Sequence, residues 1–211
     1  MLAEAEAAGL ELEVVVVREG DHYDGAASVI VTVTPGVFRE MTQTVTPQGV
    51  LAVARVHEAH PDDAIAAARR EHWPLLVLDG VQDPGNVGAI CRSAAAAGAS
   101  ALAVLHGTAD PFGAKAVRAS AGNVFRLTVA QATWADLTGL DGYGASALGG
   151  TPLADAQVEA AGMLVLGSEA HGLSRGDLKL VTIPVSDGVE SLNVAAAAAV
   201  ILFEIRRRLA A

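Results

Sequence analysis

The sequence holds one cysteine, Cys91, in 211 residues. A lone cysteine excludes an internal disulfide and any metal site built from several thiolates. Apolar residues make up 52% of the chain, yet no apolar run reaches the roughly 18 residues that a membrane span requires. The start, MLAEAEAAGLELE, is acidic and helix-like. It lacks both the basic opening and the apolar stretch of a secretory signal. These absences point to a cytoplasmic protein with no membrane partner. The six histidines show no metal-ligand spacing, so no metal is expected. Basic charge is scarce as well: 14 Lys and Arg stand against 24 Asp and Glu, a net charge of −10. A broad basic face for nucleic acid is therefore excluded. The deficit is uneven, with 3 basic and 9 acidic residues in 1–60. Arg92, Lys115, Arg118 and Arg126 lie near glycine-rich segments, and Arg206, Arg207 and Arg208 are adjacent. Any RNA site must be local. The three final arginines read as a solvated helix end, favourable at the helix C-terminus.

The residues that are present form a packed α/β pattern. The length fits one domain of about 150 residues with a small appendage. Glu13–Arg18 and Ser28–Val33 are β-branched runs that read as buried strands. Pro35–Met41 reads as a short helix, Thr46–Gly49 as a turn and Val50–Val56 as a strand. Residues 1–57 thus make a small α/β unit, 58–72 a linker or linking helix, and 73–211 a second, larger domain. In that domain strands are expected at Leu75–Leu78, Ala101–Leu105, Arg126–Val129, Gly144–Leu148, Met163–Leu166 and Val181–Pro184. Helices are expected at Val87–Ala97, Lys115–Ala121, Ala132–Leu140 and Leu192–Leu209. Alternation of this kind predicts a parallel sheet with helices on both faces.

Three motifs fail on their own terms. Gly142-Tyr143-Gly144-Ala145-Ser146-Ala147 has the G-x-G-x-x-A form, but a helix-like segment precedes it and Gly149-Gly150-Thr151-Pro152 would break the helix it needs on its far side. Gly172-Leu173-Ser174-Arg175-Gly176 has the form of a nucleophile elbow, but no histidine comes after the serine. Gly167 to Ser174 has P-loop spacing with Leu173 where the lysine must be.

Three other segments act together: Leu78–Gly98 (LDGVQDPGNVGAICRSAAAAG), Leu164–Ser174 (LVLGSEAHGLS) and Ile183–Glu204 (IPVSDGVESLNVAAAAAVILFE). In this order they closely resemble the three motifs of the SpoU (TrmH-like) RNA 2'-O-ribose methyltransferases. Lys115–Phe125 (KAVRASAGNVF) resembles the segment between the first two. The resemblance covers roughly residues 73–209. Residues 1–56, best at Thr44–Val53, resemble the end of a ribosomal-protein-like substrate-binding domain. That domain usually has another strand and helix before this point, so here it reads as truncated.

The resemblance implies a SPOUT fold with a C-terminal trefoil knot, a homodimer with its site near the interface, S-adenosylmethionine as cofactor and RNA as partner. The N-terminal segment tilts the substrate toward 23S rRNA rather than tRNA; a non-catalytic scaffold of the same fold is the other alternative. By the same resemblance the catalytic set is Asn86, Arg92, Glu169, Ser191 and Asn193. Arg92 is expected to bind the target phosphate and help activate the 2'-hydroxyl. An arginine is a poor base, so stabilising the forming alkoxide is the safer account. The donor is expected on backbone groups at Leu148 and Gly149, at Leu166 and Gly167, and from Ile183 and Val185 to Ser191 and Leu192. Arg118 and Ser120, with Arg92, are expected to face RNA. Asn86 and Ser191 also read as helix N-caps. Glu169, just past a strand and a glycine, falls where ligands bind in open α/β sheets.

Overall fold

A computed structural model describes residues 1–42 and 47–210. Residues 2–57 form one compact unit and residues 58–211 another.

The first unit contains helix α1 (Leu2–Ala7), strand β1 (Glu11–Arg18), strand β2 (Val29–Val33), helix α2 (Pro35–Met41) and strand β3 (Val50–Arg55). The valine run makes β1 the central strand. It lies parallel to β2 and antiparallel to β3, with a register shift between Leu12 and Val14. Leu12, Val15, Val16, Val17 and Phe38 are buried there. Thr34 caps α2 and Pro35 occupies its first turn, where a missing N–H costs nothing. Of the expected turn at 46–49, residue 46 lies outside the described residues, as do residues 44–46 of the stretch that carries the N-terminal resemblance.

The second unit contains α3 (Pro61–Arg70), β4 (Leu75–Asp79), α4 (Pro84–Ala97), β5 (Ala101–Val104), α5 (Ala114–Ala119), β6 (Thr128–Gln131), β7 (Gly142–Ala145), β8 (Thr151–Pro152), β9 (Met163–Gly167), β10 (Lys179–Thr182) and α6 (Val194–Leu209). Its sheet runs β6-β5-β4-β9-β7-β10-β8, and each neighbouring pair is parallel. The central strands are apolar at nearly every position because both faces are covered. Leu76, Leu78, Leu102, Val104, Leu164 and Leu166 pack against α4 and α6. Leu75, Val77, Ala101, Ala103, Met163 and Val165 pack on the other face with Ala64, Ala67 and Ala68 of α3. The stretch expected to be a linker therefore contributes a helix to this core; its alanines present a flat face to the sheet.

Several local expectations change. The helix expected over Ala132–Leu140 is a run of turns. Asp136 accepts hydrogen bonds from the Thr133 amide and hydroxyl, both 2.7 Å, and Gly139 takes a left-handed φ of 86°. These side-chain and backbone features hold three-residue turns in place of an α-helix. Gly142–Ala145, the apparent dinucleotide motif, is itself strand β7.

The cap of α4 is Asp83, whose carboxylate accepts from the Gly85 amide at 2.7 Å, and not Asn86. The cap of α6 is Asn193, which accepts from the amides of Ala195 (3.0 Å) and Ala196 (3.3 Å); Ser191 lies two residues outside. A cap must sit directly before the helix to reach those amides.

The arginines of α6 are not simply a solvated end. Arg206 donates to the Ala97 carbonyl at 3.0 Å, closing the end of α4. The Arg208 side chain is 15% exposed and bonds Glu204 (2.7 Å), Glu159 (2.9 Å) and the carbonyls of Leu153, Ala154 and Ala156. Arg207 is exposed and pairs with Glu204.

Candidate active site

In a parallel sheet the strands share one carboxyl edge, and β4, β9, β7 and β10 are consecutive neighbours. The segments just past them therefore emerge side by side. They include α4 after β4, the Ser168–Leu178 loop after β9, the Ser146–Gly150 loop after β7 and the Ile183–Asn193 loop after β10. Such an edge is the ordinary ligand site of open α/β sheets.

Three of the five residues expected to be catalytic meet there. The Asn86 side-chain amide donates to a Glu169 carboxylate oxygen. The Asn193 amide donates to Asn86 Oδ1 at 3.1 Å. Asn193 Oδ1 in turn caps α6. This chain fixes its own orientation. Because the helix amides claim the Asn193 oxygen, its nitrogen faces Asn86. That claims the Asn86 oxygen and leaves the Asn86 nitrogen for Glu169. Glu169 sits at the tip of a tight loop closed by Ser168 and Gly172, whose backbones exchange hydrogen bonds of 3.0 and 2.8 Å.

The other two are not joined to this cluster. Ser191 is exposed in the loop before α6. Arg92 is exposed on α4, six residues beyond Asn86, or about 9 Å along the axis. Its side chain makes no hydrogen bond or ion pair among the described residues.

The segments expected to hold the donor occupy the same edge. Leu148 is 84% exposed, and Ser146 Oγ donates to its carbonyl at 2.8 Å. Gly149 has φ 70°, and a Cβ there would meet open space. Leu166 is buried in β9. At Gly167 a Cβ would fall 2.5 Å from the Gly172 carbonyl oxygen, so the glycine is required by the packing of its own loop. Ile183 packs partly against the core, while Val185, Val189 and Leu192 are exposed. Between 183 and 192 one backbone hydrogen bond forms among the described residues, Val189 to Ser186 at 3.1 Å. Backbone groups of this loop that lack an internal partner are available to a ligand.

The expected RNA-facing pair divides. Arg118 is exposed at the end of α5. Ser120 is fully buried; its hydroxyl donates to the Val117 carbonyl at 2.9 Å and accepts from the Gly122 amide at 3.2 Å. It presents no free group to a ligand. Lys115 binds Asp83 at 2.9 Å. That bond, with the Gly85 amide, holds the Asp83 carboxyl below its usual range. Cys91 is a core thiol; burial pushes it up to about 12, so it is no nucleophile at neutral pH.

Two structural supports of this edge escaped sequence reading. Asp79, at the carboxyl end of β4, is 5% exposed and accepts from the Ser174 amide (2.6 Å) and hydroxyl (2.8 Å). Gly88 lets α4 touch α5, since a Cβ would fall 2.3 Å from the Ala116 carbonyl oxygen. A carboxylate ending an otherwise apolar strand was the available signal for the first. The second carried none.

Fold and edge together define a doubly covered α/β domain whose loops past the carboxyl ends of its strands form the candidate ligand site. Residues 74–203 match the SpoU rRNA Methylase family, and the chain belongs to it. It is 34% identical over 180 residues to the 23S rRNA (guanosine(2553)-2'-O)-methyltransferase RlmP of Bacillus subtilis, a match covering 80% of this chain and 69% of that protein. It is 41% identical over 182 residues to an uncharacterized tRNA/rRNA methyltransferase of Mycobacterium tuberculosis, again over 80% of this chain but only 56% of the relative's length. The fold matches the SpoU methyltransferase AviRb of Streptomyces viridochromogenes in complex with AdoMet, with a TM-score of 0.84 at 26% identity, covering 100% of this chain and 88% of that one. It also matches a TrmH-family RNA methyltransferase of Porphyromonas gingivalis, with a TM-score of 0.77 at 30% identity, covering 98% and 86%.

Proposed function

We propose that this protein transfers a methyl group from S-adenosylmethionine to a ribose 2'-oxygen of RNA, with 23S rRNA as the substrate. The observation that carries this reading is the Glu169–Asn86–Asn193 chain. It joins three segments distant in sequence, beside the loops suited to the donor. The similarity to RlmP and to AdoMet-bound AviRb supports the same assignment.

The loops fit the donor's chemistry. Exposed Leu148, Val185 and Leu192 offer apolar walls for an adenine, and the irregular backbone of 183–192 offers donors and acceptors for its polar edge. Bound there, S-adenosylmethionine would supply an electrophilic methyl group and depart as S-adenosylhomocysteine, the 2'-hydroxyl proton passing to solvent. The chain's residues do the rest. Arg92 has no internal partner among the described residues, so its guanidinium is available to hold the target phosphate and stabilise negative charge growing on the 2'-oxygen. Ser191, in the loop before α6, contacts donor or ribose. Glu169 and Asn86 fix the edge against which the ribose is aimed, and aim is worth several orders of magnitude in rate. Arg118 contributes a second phosphate contact.

The chain beyond β9 is threaded through its own loop as a trefoil knot. The protein pairs as a homodimer, and Val200 and Phe203, exposed on one stripe of α6, suit such a contact. Residues 1–57 act as the substrate-binding domain, and the protein works in the cytoplasm without a metal.

The test is transfer of radiolabelled methyl from S-adenosylmethionine into unmethylated 23S rRNA and into bulk tRNA, with nuclease mapping of the product. Label that resists alkaline cleavage at one rRNA ribose is the expected result. Label in tRNA alone would correct the substrate. No label in either, from protein that binds the donor, would favour a non-catalytic scaffold.

A further inference from the structure

The loop that carries Glu169 is fastened at three points. Its tip is closed by the Ser168–Gly172 backbone pair, with Ser168 Oγ accepting from the amides of Ala170 (3.2 Å) and His171 (3.4 Å). Leu173 is seated against β7: a Cβ on Gly144 would lie 2.3 Å from Leu173 Cδ1. Ser174 is gripped by Asp79 through both its amide and its hydroxyl, and the Trp134 indole N–H donates to the same hydroxyl at 2.9 Å. Arg175 covers the Trp134 ring, 5.3 Å from its centre, and pairs with Asp177.

The grip on Ser174 is the unusual one. Asp79 is nearly buried, and burying a carboxylate is costly unless its oxygens are bonded; here one bond goes to each oxygen. A carboxylate also accepts from an amide and a hydroxyl together, which no apolar residue can do. Its place matters too. Asp79 ends β4, the strand that leads into α4 and Asn86, and Ser174 lies two residues past the Ser168–Gly172 turn that carries Glu169. One bidentate contact thus ties together the two elements that bring Asn86 and Glu169 into contact.

We propose that Asp79 and Ser174 are positioning residues. Their contact holds the 168–174 loop so that Glu169 meets Asn86 and the loop backbone faces the donor. The inference rests on the methyltransferase reading for its effect on turnover but not for its effect on the loop.

The experiment uses the full chain with Ser174→Ala, Ser174→Thr and Asp79→Asn. Ser174→Ala keeps the amide bond to Asp79 and removes only the hydroxyl, so it is the variant expected to fold. Asp79→Asn removes the charge, keeps one acceptor for the Ser174 amide and turns an N–H₂ toward the Ser174 hydroxyl, so it tests the loss of the second acceptor. Three quantities are read: hydrogen–deuterium exchange of residues 168–174, donor affinity by calorimetry, and steady-state methyl transfer. Ser174→Ala should exchange about 10-fold faster at Glu169 and its neighbours while α4 and the sheet remain protected. Its kcat should fall about 10- to 100-fold with the RNA KM within about 2-fold. Ser174→Thr should restore both, because the hydroxyl returns. Unchanged exchange in Ser174→Ala overturns the proposal, and so does a kcat loss that Ser174→Thr fails to rescue. If the wild-type protein transfers no methyl, the functional reading has failed. Exchange and donor affinity then decide the contact: faster exchange with about 10-fold weaker donor binding supports it, and unchanged exchange overturns it.

Discussion

Asn193 and Asn86 are 107 residues apart in sequence, yet their side chains share a 3.1 Å hydrogen bond, and the asparagine that makes it is also the cap of the last helix. One side chain therefore does two separable jobs. Asn193→Asp keeps the acceptor that α6 needs and loses the donor that Asn86 needs. Its melting temperature should stay close to wild type while methyl transfer falls by at least about 10-fold. Asn193→Ala should lose both, with about 1 kcal/mol of stability going along with the activity. Thermal melts run beside turnover assays separate the two; an active Asn193→Asp protein would remove Asn193 from the site.

Arg92 has no structural partner among the described residues, so its replacement tests function alone. Arg92→Ala should lose at least about 100-fold in methyl transfer. Its stability should stay within about 0.5 kcal/mol of wild type, as for other exposed positions. Donor binding measured by calorimetry should be unchanged. Wild-type turnover would refute the role given to Arg92.

Arg208 is the opposite case. Its guanidinium serves two carboxylates and three carbonyls in a nearly closed setting. Arg208→Ala should cost about 2–4 kcal/mol, read by denaturant unfolding, because those groups lose their donor. Arg208→Lys should recover little, since a single ammonium cannot match the planar fork.

Bonds from Arg207 and then Arg208 lower Glu204 from the ordinary 4.5 to about 2. A carboxyl depressed in the folded state adds stability above its unfolded pKa and loses it as pH falls toward the folded value. The stability gap between wild type and Glu204→Gln should thus be full at neutral pH and shrink between about pH 4.5 and about pH 2. A gap that stays constant across that window would show that the ion pairs contribute nothing.

Much of the second unit was legible because its strands are short, apolar on both faces and punctuated by Gly and Pro. Leu75–Asp79 and Met163–Gly167 differ from expectation by one residue each. The misreadings have a common physical source. The turns at 132–140 arise from Asp136 bonding back to Thr133, a local competition that an alanine- and leucine-containing stretch conceals. The burial of Ser120 depends on the close packing of α5 on α4, and the grip of Asp79 on Ser174 on which strands become neighbours; no window of sequence reports either. The cap positions were misread by a few residues because Asp83, Asn86, Ser191 and Asn193 are all good caps, and only geometry chooses among them. Three of the five catalytic candidates converge; the motif order located them, while the hydrogen bonds joining them became visible only in three dimensions.

The order β5-β4-β9 has a consequence for synthesis. Leu75 pairs with Met163, so β4 stays an unpaired edge on one side until β9 has been made. Until then Leu75–Asp79, apolar at all but its last position, can pair with any other exposed strand. Parallel pairings between distant segments also form slowly. Between translation of β4 and arrival of β9, this edge of a nascent chain is open to mispairing.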